Sequence, residues 1–105
     1  MKAIMTSTGN HLDSKLDSRF GRCEFFVVYD TESGSVEFIP NPNKDLKEGA
    51  GIASVELVAS KNPDLIISGE FGPKIKNLLD SLQIQLVVIQ DTERKIQNII
   101  NLLNH

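Results

Sequence analysis

Beyond residue 49 the chain switches repeatedly between two periodicities, and this alternation constrains its fold more than any other feature. Gly49-Ala50-Gly51 leads into IASVELVAS. There Ile52, Val55 and Ala59 share one helical face, widened by Leu57 and Val58, and Asn62-Pro63 ends the helix. Asp64 to Ser68 (DLIIS) is a short apolar run that suits a strand. Gly69 to Gly72 (GEFG) makes a tight connection, and Pro73 fits a first helical turn, where its missing N–H is no loss. Ile75, Leu78, Leu79 and Leu82 follow the i, i+3, i+4, i+7 spacing of a core-facing helix. Ile84 to Ile89 (IQLVVI) reads as the last strand. Asp91 or Thr92 can cap a final helix, whose apolar face is Ile96, Ile99, Ile100 and Leu103. Strands joined through helices are parallel, with right-handed crossovers.

The first half reads differently. Lys2 to Thr6 (KAIMT) suits a buried strand. Ser7 to Arg22 is a loop that is long for a compact domain, and loops of that length are more often functional than short ones. Leu12 and Leu16 are placed to pin it to the core. Cys23 to Tyr29 (CEFFVVY) is rich in aromatic and β-branched residues, which favour strands. Asp30 to Ser35 is turn chemistry, with Gly34 free to take positive φ, and Val36 to Ile39 completes a hairpin. Pro40 to Glu48 (PNPNKDLKE) is loop.

The order is thus β-β-β-α-β-α-β-α. It predicts a three-layer α/β/α domain with a mixed five-stranded sheet of order 3-2-1-4-5. Only strand 2 runs antiparallel, which is a ribonuclease-H-like topology. A length of 105 residues with ordinary apolar and charged shares predicts one domain spanning 1–105. The formal net charge of −3 argues against non-specific nucleic-acid binding, which needs a basic face. A single cysteine makes no internal disulfide. MKAIMTSTGN lacks the apolar core of a signal peptide, and no apolar run has the roughly 18 residues of a membrane span. A cytoplasmic protein with a reduced thiol is therefore expected.

This topology brings four segments to one end of the sheet: Thr6–Asn10, Arg19–Cys23, Asn41–Gly51 and Ser68–Gly72. Ligands of open α/β sheets sit outside the carboxyl ends of strands. Two helices start there, and helix N-termini attract anions. Gly49, Gly51, Gly69 and Gly72 either admit a ligand to the backbone or serve only close packing. Arg19 and Arg22, flanking Gly21, either grip an anion, stay solvated or form salt bridges to Asp13 and Asp17. Cys23 is either a ligand and reactive thiol or a small buried hydrophobe. His11 is either a ligand or polar surface, and His105 is terminal. Together Cys23 and His11 fall short of a structural zinc site, but they suit the exposed face of a cluster that brings its own coordination shell.

Hydrolytic chemistry finds little support. The chain has no GxSxG elbow, no GxxxxGK[ST] loop and no GxGxxG after a strand. A metal-dependent nuclease gathers several carboxylates. The first strand has none, and Glu56 and Glu70 read as a solvent-facing helix residue and a loop residue.

The segments STGNHLDSKLDSRFGRCEFFVVYD, NPN, GAG and ISGEFGPKIKNLL together resemble the dinitrogenase iron–molybdenum cofactor biosynthesis family over nearly the whole chain. The resemblance implies the same fold and a non-enzymatic role: binding an iron–sulfur or iron–molybdenum cluster precursor and carrying it to or from a metallocluster donor or acceptor protein. It makes Cys23 and His11 candidate metal ligands. Arg19, Gly21, Arg22, Gly49, Gly51, Gly69 and Gly72 would hold the anionic cluster. The expected form is a monomer or weak homodimer, without nucleic acid or membrane. The alternative is a regulatory module that binds an anion or small ligand at the same end without metal.

Overall fold

The computed structural model describes residues 1–91 and 93–104. Its elements are β1 (Lys2–Ser7), β2 (Phe25–Asp30), β3 (Val36–Pro40), α1 (Ala50–Ala59), β4 (Leu65–Ser68), α2 (Pro73–Ser81), β5 (Gln85–Val88) and α3 (Ile96–Leu103). The five-stranded sheet has the expected order β3-β2-β1-β4-β5. β2 is antiparallel to β1 and β3, whereas β4 is parallel to β1 and β5. This is the ribonuclease-H-like arrangement read from the element order.

The pleat sorts the core into two halves. Ala3, Met5, Val27, Tyr29, Leu65 and Ile67 face α3, where Ile96, Ile99 and Ile100 cover them. Ile4, Phe26, Val28 and Ile66 face the other way, under Val55 and Val58 of α1 and Leu79 of α2. One register slip would exchange the two sets, so the packing of both faces fixes the pairing.

Several expectations need correction. Ile52 is 46% exposed and Leu82 47%, and Leu78 is exposed as well. α1 instead buries Ala50, Ser54, Val55 and Val58. α2 packs against α1 and the edge strand β5, and a sheet margin offers cover to only one narrow side, so Leu79 alone is fully buried. Leu16 is buried, but Leu12 is 41% exposed. β2 starts at Phe25, two residues later than expected, leaving Cys23 in the loop. Pro40 ends β3, paired with Phe25. It is tolerated there because β3 is an edge strand. Asp91 does not cap α3. Lys95 is its N-cap, and Asp91 caps a turn through the N–H of Glu93 at 3.0 Å. Thr92 and His105 lie outside the described residues.

Candidate functional site

The long loop after β1 crosses the carboxyl end of the sheet. Its first part lies along α3: the N–H of Ile96 donates to Ser14 O and that of Gln97 to Leu12 O, both at 2.9 Å. Leu16 is buried on the α3 side, and four residues later Phe20 is buried on the α1/α2 side. Between them the chain is tied to the strand ends. Asp17 N–H donates to Thr6 O at 2.9 Å, and Gly69 N–H donates to Asp17 O at 3.1 Å. Thr6 Oγ1 donates to Asp17 O at 2.8 Å. A Cβ on Gly69 would lie 2.5 Å from Ser18 Cα. Gly69 therefore lets loop and strand end touch, which is the packing role that its sequence context left open.

Asp17 is 3% exposed. Its carboxylate accepts from the backbone N–H of Arg19 at 2.9 Å and from Arg19 Nε at 3.2 Å and Nη2 at 3.3 Å. The Arg19 side chain remains 54% exposed. The hydrogen bond and the charge of Asp17 raise the Arg19 pKa above its ordinary value, so this cation persists at any working pH.

Past Phe20, the loop enters a second knot. A Cβ on Gly21 would stand 2.8 Å from Gly51 Cα, so the loop rests directly on the first turn of α1. Gly21 O accepts from Asn41 Nδ2 at 3.0 Å and from Ser54 Oγ at 3.2 Å. Asn41 Nδ2 also donates to Cys23 O at 3.0 Å, and its Oδ1 accepts from Asn43 N at 2.9 Å. Arg22 Nη1 donates to Lys44 O at 2.9 Å and Leu46 O at 2.7 Å. Arg22 therefore braces the loop before α1 with one of its nitrogens. Of the salt bridges weighed for the arginine pair, with Asp13 and Asp17, the described residues hold one, between Arg19 and Asp17.

Two helices start at this end, and Gly21 rests against the first turn of α1. Gly49, the N-cap of α1, has φ 75 and ψ 13, a left-handed conformation that suits glycine. Gly72, the N-cap of α2, has an ordinary φ of −66. Neither helix has a side-chain cap or an acidic residue in its first turn. The first intrahelical bonds are Ala53 N to Gly49 O and Lys76 N to Gly72 O. The N–H groups of Ala50, Gly51 and Ile52, and of Lys74 and Ile75, lie ahead of those bonds. Space beside Gly49 and Gly72 is free, whereas a Cβ on Gly51 would meet Ile75 Cδ1 at 2.8 Å. Gly51 is thus a helix-packing glycine, and Gly49 and Gly72 leave the backbone approachable.

Cys23 faces the core. It is fully buried, and its Sγ donates to Phe20 O at 3.4 Å. Burial, with the charge of Asp17 adding to it, pushes the thiol pKa from 9.0 up to about 12. His11 is exposed, in the part of the loop that lies along α3, while Cys23 packs under α1 on the opposite face of the sheet. The structure does not bring the two together. Among the described residues no three His, Cys, Asp or Glu side chains converge as a metal site. A cavity of about 260 Å³ opens on the α3 side of Gly69, bordered by Leu16, Ser18, Ile89 and the acidic residues Glu70 and Asp91. Asp91 is already paired with Arg94 at 3.6 Å, so the negative charge beside this cavity rests on Glu70; the positive groups at this end of the sheet are Arg19 and the two helix starts.

The family model described as dinitrogenase iron-molybdenum cofactor matches residues 1–104. The chain belongs to this family. It is similar to the apo form of the orange protein from Desulfovibrio gigas, with a TM-score of 0.87 and 28% identity over 97% of this chain and 85% of that one. It is also similar to a Thermotoga protein described as a candidate NifB protein, at TM-score 0.80 and 28% identity, with the same coverage. An uncharacterized protein from Methanocaldococcus jannaschii is 31% identical over 77 residues, which is 70% of this chain and 65% of that protein. The chain thus spans somewhat less than two thirds of that curated relative.

In this dinitrogenase iron–molybdenum cofactor family member, buried polar residues organise the site, and of these the sequence singles out only Asp17, as a salt-bridge partner of the arginines. Thr6, Asp17, Asn41, Ser54 and Ser68 are all buried polar side chains at the carboxyl end of the sheet. The signal was present for two others. Thr6 and Ser68 each close an apolar strand with a hydroxyl. Asn41, between two prolines, sits where little but a side-chain hydrogen bond can stabilise the turn.

Proposed function

We propose that this chain binds an anionic iron–sulfur or iron–molybdenum cluster precursor at the carboxyl end of its sheet and carries it, without catalysing a reaction, between a donor and an acceptor protein. Family membership over residues 1–104 supports the cargo class. The observation that carries the reading is Arg19, half-exposed and charged, at the same end of the sheet as two helix N-termini that lack side-chain caps. Lys74 and Lys76, both exposed, add positive charge at the start of α2. Backbone N–H groups and guanidinium forks suit the sulfide and thiolate periphery of a cluster that brings its own ligands. Cys23, buried and held as a neutral thiol, plays no part in holding the cargo in this reading. A cytoplasmic location belongs to the same proposal, because such clusters and free thiols persist in a reducing compartment.

The test uses a thiolate-capped cubane iron–sulfur dianion as probe, added without oxygen. Wild-type protein takes it up, seen as a charge-transfer band that co-elutes with protein. Cys23→Ser takes up as much, and Arg19→Ala takes up less. A wild type that leaves the dianion in the small-molecule fraction overturns the carrier reading.

The lack of a converging metal-ligand group among the described residues favours one alternative: a metal-free small anion held on the same ground. Melting shifts with inorganic phosphate or molybdate, lost in Arg19→Ala and without any uptake of the dianion, distinguish it.

A further inference from the structure

The geometry points to Asp17 as a positioning residue that aims Arg19 at the anionic ligand; this rests on the reading of Arg19 as an anion contact. Taking a carboxylate out of water is tolerated only when donors replace the lost water. For Asp17, at 3% exposure, the donors among the described residues come from one residue. The backbone N–H, Nε and Nη2 of Arg19 lie 2.9, 3.2 and 3.3 Å from its two oxygens. The grip therefore takes the Nε edge of the guanidinium. Among the described residues, no group accepts from Nη1.

Asp17 itself is registered to the sheet. Its N–H is 2.9 Å from Thr6 O, and its carbonyl accepts from Gly69 N–H at 3.1 Å and Thr6 Oγ1 at 2.8 Å. These bonds tie it to β1 and to the end of β4, the two central parallel strands. A flexible, exposed arginine is thereby given a fixed root and a fixed plane. With one edge held by Asp17 and the side chain 54% exposed, the entropy of ordering it is settled before a ligand arrives.

A point-charge view makes the opposite prediction. Asp17 partly cancels Arg19, so replacing it by asparagine should raise the positive potential and tighten anion binding. Positioning requires the reverse, because the amide offers one acceptor oxygen in place of two and releases the fork. The sign of the effect decides between them.

The dianion is titrated anaerobically into wild type, Asp17→Asn, Arg19→Ala, Arg19→Lys and the Asp17→Asn/Arg19→Ala pair. Asp17→Asn is expected to weaken uptake about tenfold, the usual order for a group that orients a ligand-holding side chain. Arg19→Lys, which keeps the charge and loses the fork, should bind as weakly as Arg19→Ala, and the pair should bind no worse than Arg19→Ala alone. Equal or tighter uptake by Asp17→Asn, wild-type uptake by Arg19→Lys, or additive losses in the pair overturn the proposal. Should Asp17→Asn fail to fold, the Arg19→Lys comparison decides, since it leaves the buried carboxylate in place. In parallel, the Arg19 Nε–H is followed by NMR. It should be resolved and protected from exchange in wild type, and lost in Arg19→Lys and Asp17→Asn. If wild type takes up no dianion, the carrier reading fails by itself. The Nε–H signal then still tests the grip: its absence from wild type, or its survival in Asp17→Asn, overturns the positioning role.

Discussion

Gly69 and Ser18 touch so closely that a side chain on the glycine would fall 2.5 Å from the serine Cα. The obstacle is backbone, and that backbone is tied to the sheet by Asp17, so it cannot step aside cheaply. Gly69→Ala should destabilise the fold by about 2 kcal/mol, as overpacking of a close contact does. The midpoint of urea unfolding should fall with an unchanged slope, and an unaltered midpoint would show that the loop yields freely.

The two N-cap glycines should part company. Gly49→Ala forces a Cβ into a left-handed residue with φ 75 and should cost about 1 kcal/mol. Gly72→Ala, with φ −66 and open space, should stay within about 0.5 kcal/mol of wild type. Gly72→Ala is therefore the cleaner probe of ligand approach. If the start of α2 meets the dianion, uptake falls while the thermal unfolding temperature does not.

Cys23 should react as a core residue. Its modification by a thiol reagent at pH 8 should proceed only through opening of the fold, far more slowly than for the urea-unfolded chain. Its ionisation also sets a sign. With the folded pKa near 12 and the ordinary value at 9.0, the folded state keeps a proton that the unfolded state loses between those pH values. Stability from this group is complete below pH 9.0 and declines as pH rises toward about 12. Cys23→Ala should show a shallower alkaline decline than wild type. Parallel declines would mean that the thiol ionises freely when folded.

Asn41→Ala removes the amide that donates to Gly21 O and Cys23 O and accepts from Asn43 N. Ser54 still reaches Gly21, so the unmet group is chiefly the Cys23 carbonyl. A loss of about 2 kcal/mol is expected, read as a lower thermal midpoint, with faster amide exchange confined to the segments around residues 21–24 and 41–46. Exchange that speeds up across the whole sheet would contradict a local role.

The fold was legible because its signals are local. The run DLIIS and the spacing of Ile96, Ile99 and Ile100 each announce one element, and the crossover rule assembles them. Where the reading failed, the answer depended on what lay opposite. Leu78 and Leu82 carry the right spacing, yet α2 overhangs the sheet margin, where β5 offers nothing for them to meet. Cys23 adjoins two arginines in sequence, but Arg22 turns to Lys44 O and Leu46 O, and the thiol turns inward. Asp17 is legible as a salt-bridge partner of the arginines, but no local pattern reveals that a carbonyl and an N–H from strands distant in sequence will enclose it.

The loop that crosses the sheet end is anchored to α3 by Leu12 and Ser14, to β1 and β4 by Asp17, and to α1 by Gly21. Those attachments have a calorimetric consequence. A loop already immobilised during folding has little disorder left to surrender, and little apolar surface left to cover, when a ligand arrives. Association at this end should therefore carry a small change in heat capacity. Its temperature dependence would resemble that of a charge pairing with a rigid surface, with none of the steep dependence of a segment that folds as it binds.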